Sequence, residues 1–405
     1  MAAARPLPLS GIRVLDFGHI LAGPFCARML ADLGAEIVKV ETATRQGRLG
    51  ARRGASRGGS TSGRTPLLAH INRNRRSIDL NLKTDRGRDI ARQLVNVADV
   101  LVENFSSGVM DRLGLGYEEL KKSNPGLVYA SMSAYGHSGP RRAWTGMNVN
   151  LQAHSGMMIA TGTPGDPPIG ISNSWNDYIG GLHTAVAIIG ALSKRRESGS
   201  GCHLDVSQFE CGVAMIGSQL FASAVNATPP ARLGSRSRSA APQGCYRCAG
   251  NDQWCAISVR DDEQWRGLVA ALGGEVPRLH EPRFATLAGR LTHHDEIDAA
   301  LETWTQAQAP AEVERRLTQH GVAAATMRRG NDIAEVEEWR QVLRPIDGLG
   351  APGTKVVGLP FSFQGAAPVD AVAAPHMGEH GREVLRDWLD LDDPTITELF
   401  HEAAA

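Results

Sequence analysis

Two stretches of the chain place reactive side-chain types where chemistry is feasible. In Gly170-Ile-Ser-Asn-Ser-Trp-Asn-Asp177-Tyr-Ile-Gly-Gly181, an acid stands in a loop at the start of an apolar run with helical spacing. The first turn of a helix has free amides. Asp177 therefore reads either as an N-cap that satisfies them or as a nucleophile or general base whose anion the helix end stabilises. The second stretch is Asn104-Phe105, which directly follows a strand-like run, Val100-Leu-Val-Glu103. Ligands bind at the carboxyl ends of strands in open parallel sheets, so this pair is a candidate for binding. Cys245-x-x-Cys248 followed by Cys255 has part of a zinc spacing but no fourth ligand, and reads better as a β-hairpin turning at Gly250-Asn-Asp. His293-His294 reads as a solvated pair, and no GxSxG nucleophile elbow is present. No metal site is expected.

Composition bounds the function classes. A chain of 405 residues holds two or three domains. Lys+Arg and Asp+Glu both number 43, a neutrality that argues against a dedicated nucleic-acid binder. Hydrophobic content of 42% with 21% charged residues suits a folded globular chain. No apolar run approaches the roughly 18 residues that span a bilayer. The start has a cation but no apolar core, so secretion is not expected, and six cysteines make no disulfide framework. A cytoplasmic enzyme is the expectation. Residues 43–65 carry six arginines, six glycines and no acid. They read as a polar surface loop, with an RNA-binding arm or a phosphate-contacting loop as alternatives.

The elements that would position these residues follow from periodicity. Ile12-Arg-Val-Leu-Asp-Phe17 is a short strand. Gly23-Pro24 opens a helix from Phe25 to Leu33, ended by Gly34, and Glu36–Glu41 is the next strand. Strand, helix, strand within about thirty residues means a βαβ unit and a parallel sheet. A helix over Arg86–Val97 and strands at Val100–Glu103 and Leu127–Ser133 extend it. The fold class expected is α/β, an open doubly wound (Rossmann-like) large domain plus a smaller α+β domain. The first turn lacks GxGxxG, so a dinucleotide site is not supported. A long apolar helix follows Asp177 through Ile179, Leu182, Val186, Ile189 and Leu192, ending near Lys194-Arg-Arg196. Residues 1–225 read as the large domain, 226–332 as a Pro/Arg/Ser-rich linker and small domain, and 333–405 as a segment returning to the large domain, with a helix over Glu379–Leu389.

The chain as a whole resembles the class III coenzyme A transferases, the group of formyl-CoA transferase, carnitine CoA-transferase and alpha-methylacyl-CoA racemase. The resemblance is carried by an ordered set of segments. They are Leu9-Ser-Gly-Ile-Arg-Val-Leu-Asp-Phe17 with Ala22-Gly-Pro24, Asp32-Leu-Gly-Ala-Glu-Ile-Val-Lys-Val-Glu41 and Asn74-Arg-Arg-Ser-Ile-Asp-Leu-Asn-Leu-Lys83. Ala98-Asp-Val-Leu-Val-Glu-Asn-Phe105, Gly108-Val-Met-Asp-Arg-Leu-Gly-Leu-Gly-Tyr117, Asn124-Pro-Gly-Leu-Val-Tyr129 and Gly378-Glu-His380 complete it.

The resemblance implies that Asp177 is the catalytic nucleophile. It implies CoA contacts at His19, Ile20, Ala22, Arg76, Leu80, Lys83, Asn104, Phe105 and Arg112, and a substrate pocket near Met147, Asn148 and Trp175. It also implies acyl-CoA and a carboxylic acid as substrates and no permanently bound cofactor. The subunits would form an interlocked-ring dimer, with themselves or with a paralogue. A carboxylate of ordinary pKa is about 99.9% ionised at pH 7 and needs no separate base. Thr42 stands where formyl-CoA transferase has an arginine, with Arg45 or Arg48 as substitutes. Asn148 stands where that enzyme has an active-site tyrosine. Met147 replaces the histidine with which the racemase branch moves a proton, which disfavours racemisation. Trp175-Asn176 before the acid departs from many relatives, and leaves a supporting, non-catalytic subunit of a two-chain transferase, such as one acting on benzylsuccinate, as the alternative.

Overall fold

Strand residues alternate between two apolar layers, the signature of a parallel sheet covered on both faces. The computed structural model describes residues 5–42, 66–227, 231–335, 342–346 and 353–404. The 43–65 segment, with Arg45 and Arg48, lies outside the described residues. The chain divides into two compact units, one drawn from Met1–Met157, Gly170–Ser218 and Glu338–Ala405, the other from Met158–Ile169 and Gln219–Glu337.

The first unit is built on β1 (Arg13–Asp16), β2 (Glu36–Glu41), β3 (Arg76–Asp79), β4 (Val100–Glu103), β5 (Val128–Ser133) and β6 (Cys202–Ser207). All pair in parallel, in the order β3-β2-β1-β4-β5-β6. Leu15, Val38, Leu101 and Tyr129 face one layer, which includes Ile90 and Leu94 of helix Asp85–Asn96 and Leu385 and Trp388 of helix Gly381–Leu389. Val14, Ile37, Val100 and Val128 face the other. There they meet Cys26 and Leu30 of helix α1 (Ala22–Asp32) and Ala185, Ile188 and Leu192 of helix Trp175–Ser198. Each such aliphatic side chain contributes about 1.5–3 kcal/mol by leaving water. α1 stops because Gly34 takes φ +100, and a Cβ there would also meet Leu7 Cβ at 2.8 Å.

Helix Trp175–Ser198 is apolar on more than its packed side. Ile179, Ala185, Ile188 and Leu192 are buried, whereas Leu182, Val186 (63% exposed) and Ile189 are open to solvent.

In the second unit, β7 (Gln243–Arg247), β8 (Trp254–Ser258) and β9 (Ala323–Thr326) form an antiparallel sheet in that order. The cysteine-bearing stretch is the expected hairpin, with Tyr246 opposite Cys255. Cys248 and Cys255 pack as small apolar residues beside Trp265, Phe284, Leu301 and Trp304. His294 departs from the solvated reading. It is buried, its Nε2 accepts the Gln243 amide at 3.2 Å, and burial lowers its pKa, so it serves as a neutral acceptor. Among the described residues no group of three or more His, Cys, Asp or Glu side chains could hold a metal ion. No helix among them is long and apolar enough to cross a membrane.

Candidate active site

The strand order reverses between β1 and β4, so a crevice opens where their carboxyl ends lie side by side. Two loops leave those ends, and both are tied down. After β1, the Gly18 amide donates to Asp16 Oδ1 at 2.7 Å, and Lys39 Nζ donates to the Gly18 carbonyl at 2.7 Å. Asp16 Oδ2 takes Arg75 Nη1 at 2.6 Å, with Lys39 Nζ 3.6 Å away. All three charged side chains are buried, where each must find an opposite charge or hydrogen-bond partner to offset lost hydration. Burial lowers the Lys39 pKa, and Asp16 opposes that shift.

The loop after β4 is joined to the first through one side chain. Asn104 Oδ1 accepts the His19 amide at 2.6 Å, and Asn104 Nδ2 donates to the His19 carbonyl at 3.0 Å. The His19 ring meets Phe105 edge-on at 4.6 Å, and the Phe105 amide donates to Glu103 Oε2 at 2.8 Å. Burial pushes Glu103 up to about 7. Gly23 completes the junction, since a Cβ there would lie 2.7 Å from Gly18 Cα and 3.1 Å from Asn104 Oδ1. Between these anchors Ile20 is held at φ 62 with its side chain exposed. A β-branched residue in the left-handed region costs roughly 1–3 kcal/mol, and persists where its surroundings over-determine it.

His19, Ile20, Ala22, Asn104 and Phe105 are thus brought together. Leu80 and Lys83 follow β3; Leu80 is buried, with its amide donating to the Glu41 carbonyl at 2.8 Å, and Lys83 is exposed. Thr42 Oγ1 donates to the Leu80 carbonyl. Arg112 ends the short helix Val109–Arg112 after β4 and is exposed. Arg76 stands apart from all of these. It begins β3 at the amino end of the sheet, where its guanidinium pairs with Glu36 and, at 2.6 Å, with Asp387.

Asp177 occupies the third position of helix Trp175–Ser198, with Ser174 as the cap residue, so the N-cap reading does not hold. Its amide donates to the Ser174 carbonyl at 3.1 Å, while the Asn176 amide is taken by Asn148 Oδ1 at 3.3 Å. Burial pushes the Asp177 carboxyl up to about 6, opposed by its own backbone amide. Gly181 lies one turn on, on the same helix face. A Cβ at Gly181 would be 2.9 Å from the Ala22 carbonyl oxygen and 2.8 Å from Phe25 Cδ1, so this face rests on the start of α1. Asp177 lies one turn before that contact, and the Tyr178 ring beside it meets Phe25 edge-on at 4.9 Å. Met147 (56% exposed) and Trp175 (38% exposed) flank the two helix starts. Asn148, expected to line a pocket, uses its side-chain oxygen on the Asn176 amide and on Gln152 Nε2.

Sequence reading passed over Asp16, Lys39, Arg75 and Gln152. The available signal was a cation inside an apolar strand, Ile37-Val-Lys39-Val40, since a parallel strand buried on both faces carries a charge only with a partner.

Comparison with known proteins gives a consistent result. The family described as CoA-transferase family III matches residues 9–381. An acetyl-CoA:oxalate CoA-transferase of Acetobacter aceti is 33% identical over 94% of this chain and 96% of its own length. A succinyl-CoA–D-citramalate CoA-transferase of Chloroflexus aurantiacus is 30% identical, covering 98% of each chain. The crystal structure of a CAIB/BAIF family protein from Brucella suis aligns at a TM-score of 0.85 and 28% identity, over 95% of this chain and 100% of that one. The chain belongs to CoA-transferase family III.

Proposed function

We propose that the protein moves coenzyme A from an acyl-CoA donor to a free carboxylic acid, with Asp177 as nucleophile. The observation that carries the reading is the state of that carboxylate. It is raised to about 6 by burial, bonded by its own amide and by no side chain among the described residues, and stands one turn before the helix face that rests on the start of α1. A partly desolvated carboxylate is a better nucleophile than a hydrated one, yet at a pKa near 6 about ten are ionised for each one protonated at pH 7. That is less than the 99.9% expected of an ordinary aspartate, and still needs no separate base.

Asp177 attacks the thioester carbonyl, the C–S bond breaks, and a mixed anhydride and CoA thiolate form. The thiolate then attacks the aspartyl carbonyl, releasing the donor acid and leaving an aspartyl-CoA thioester. The acceptor carboxylate attacks that thioester, expelling the thiolate and forming a second anhydride. Thiolate attack on the acceptor's carbonyl gives the new acyl-CoA and returns the Asp177 carboxylate. Each step exchanges one activated acyl bond for another, so the sequence runs reversibly provided water is kept from the anhydrides.

His19, Ile20, Ala22, Asn104 and Phe105 form the proposed CoA cradle, with Leu80 beside it and Lys83 and Arg112 as its exposed cations; Arg76 takes no part. The apolar groups Met147 and Trp175 favour an acceptor larger than formate. Residues 1–225 would carry both binding and chemistry, in the cytoplasm. The exposed face with Leu182, Val186 and Ile189 is the proposed subunit contact, in an interlocked pair with a second copy or with a paralogue.

The test is intact mass after brief incubation with a panel of acyl-CoAs, trapping with hydroxylamine or borohydride, then peptide mapping. A trapped change on Asp177 is the expected result, and the donor that gives it begins to name the substrate. No adduct with any donor, from protein alone, would shift the reading to a supporting subunit of a two-chain transferase.

A further inference from the structure

We propose that Gln152 is a positioning residue for Asp177, a buried clamp that fixes the approach of the 170–174 loop to the helix carrying the nucleophile. The inference rests on the reading of Asp177 given above. Gln152 is fully buried in helix Asn148–His154, and both ends of its amide are used. Oε1 accepts the Ile171 amide at 2.8 Å, and Nε2 donates to the Ile171 carbonyl at 3.0 Å. One side chain thus reproduces for Ile171 the pair of bonds a neighbouring strand would make. Nε2 also donates to Asn148 Oδ1 at 3.0 Å, and the same oxygen accepts the Asn176 amide at 3.3 Å. The bonds run from Ile171 through Gln152 and Asn148 to the amide of Asn176, the residue immediately before Asp177.

The side chain of that residue is held as well. Asn176 is fully buried and its Nδ2 donates to the Gln208 carbonyl at 3.1 Å. Gly212 leaves room for it, since a Cβ at Gly212 would sit 2.5 Å from that nitrogen. Asn176, the residue before the acid, is therefore fixed through its amide and its side chain to two separate helices, and the nucleophile's freedom is set by neighbours that never touch substrate. Asp177 owes its raised pKa to burial, with no charged partner among the causes. Its ionisable neighbour is Tyr178, itself near Arg28. Loosening the clamp admits water to the carboxylate and lowers its pKa while turnover continues, whereas a simple loss of fold removes turnover without moving the acid limb of the surviving activity.

The experiment uses the full chain and the acyl-CoA that labels Asp177. Gln152→Met keeps the volume and removes all three bonds. The expected result is a kcat lower by roughly tenfold to a hundredfold, with KM for acyl-CoA changed by less than about twofold. The acid limb of the kcat profile should move from near 6 toward the ordinary aspartate value by about one unit or more. A folded Gln152→Met variant with wild-type kcat and an unmoved acid limb overturns the proposal, as does a loss confined to KM. Should Gln152→Met not fold, Asn148→Ala breaks the two bonds at Asn148 Oδ1, leaves Gln152 on Ile171, and decides by the same readout. A smaller shift of the limb in the same direction supports the clamp, and an unmoved limb overturns it. Turnover retained by Asp177→Ala would instead overturn the nucleophile reading, leaving the two failures distinguishable.

Discussion

Asp16 and Asp177 lie in the same unit, the first wholly and the second partly withdrawn from water, and they differ in their partners. Asp16 is fully buried at the end of β1 with Arg75 at 2.6 Å, Lys39 at 3.6 Å and the Gly18 amide at 2.7 Å. Asp177, at the start of a helix, has burial without a cation, and its pKa rises to about 6. A carboxylate whose lone pairs are filled by guanidinium, ammonium and amide donors is a structural tie, because attacking a carbonyl would mean breaking those bonds first. A carboxylate partly withdrawn from water and left without a counter-charge is destabilised in its resting state and gains by forming a covalent bond. The unit thus holds both a charged cluster that ties down the β1 loop and an acid with no charged partner.

The largest effect expected is on turnover. Asp177→Asn should lower kcat by about 10⁴-fold or more, since the first bond cannot form. The same change should raise the melting temperature at neutral pH. The folded-state pKa lies above the ordinary 3.8, so the folded chain holds its proton more tightly. Stability from that group is present below pH about 4 and is lost as pH rises through about 6; the amide removes the loss. Steady-state rates and thermal melts on one preparation test both signs. A fall in both would make Asp177 another structural tie.

Asp16→Asn should behave oppositely, costing about 3–5 kcal/mol because it leaves Arg75 and Lys39 buried without their shared partner. Denaturant unfolding measures it. A variant of wild-type stability would show that the charged cluster is dispensable.

The third effect follows from the Asp177 carboxyl being the reactive form. With its pKa near 6, kcat should fall about tenfold between pH 7 and pH 5 as the carboxylate takes up its proton. An Asp177 as accessible as a surface acid would hold its rate until near pH 4, and a pH–rate profile on a fixed acyl-CoA separates the two.

How much of this was legible in the sequence depended on whether the cause was local. The bounds of β2 and β4 agree with Glu36–Glu41 and Val100–Glu103 as read, because apolar runs with turn residues at their ends need no knowledge of neighbours. The helix after Asp177 was legible for the same reason, but not which of its apolar residues are covered. Ile188 and Val186 look alike in a periodic pattern, yet one is buried against the sheet layer and the other faces solvent. His294 was misread because its partner, the Gln243 amide, lies 51 positions away. Asp177 itself was legible as an acid at a helix start. Whether it capped that helix turned on Ser174 and on Asn148, 28 positions before Asn176, and no local pattern carries that. Lys39 was the opposite case, a local anomaly in plain view whose meaning needed Asp16 and Gly18 beside it.

Arg76 and Arg112 sharpen the comparison at the surface, and here the smallest effect is expected. Both were expected to contact CoA. Arg112 is exposed after β4, on the side of the sheet where the loops gather. Arg76 is committed at the other end to Glu36, which also accepts the Trp388 indole at 2.8 Å, and to Asp387. Those partners are themselves solvent-exposed to 42% and 53%, so the pairs are worth about 0–1 kcal/mol and hold the helix Gly381–Leu389 against β2 and β3. A charged hydrogen bond to phosphate contributes about 1.5–3 kcal/mol, so Arg112→Ala should raise KM for acyl-CoA about tenfold or more with kcat little changed. Arg76→Ala should change KM by less than about twofold and lower stability slightly. An Arg76→Ala variant that weakened acyl-CoA binding as much as Arg112→Ala would return Arg76 to the cradle. It would mean that the ligand reaches past the edge of β3 and breaks the pair with Asp387 as it binds.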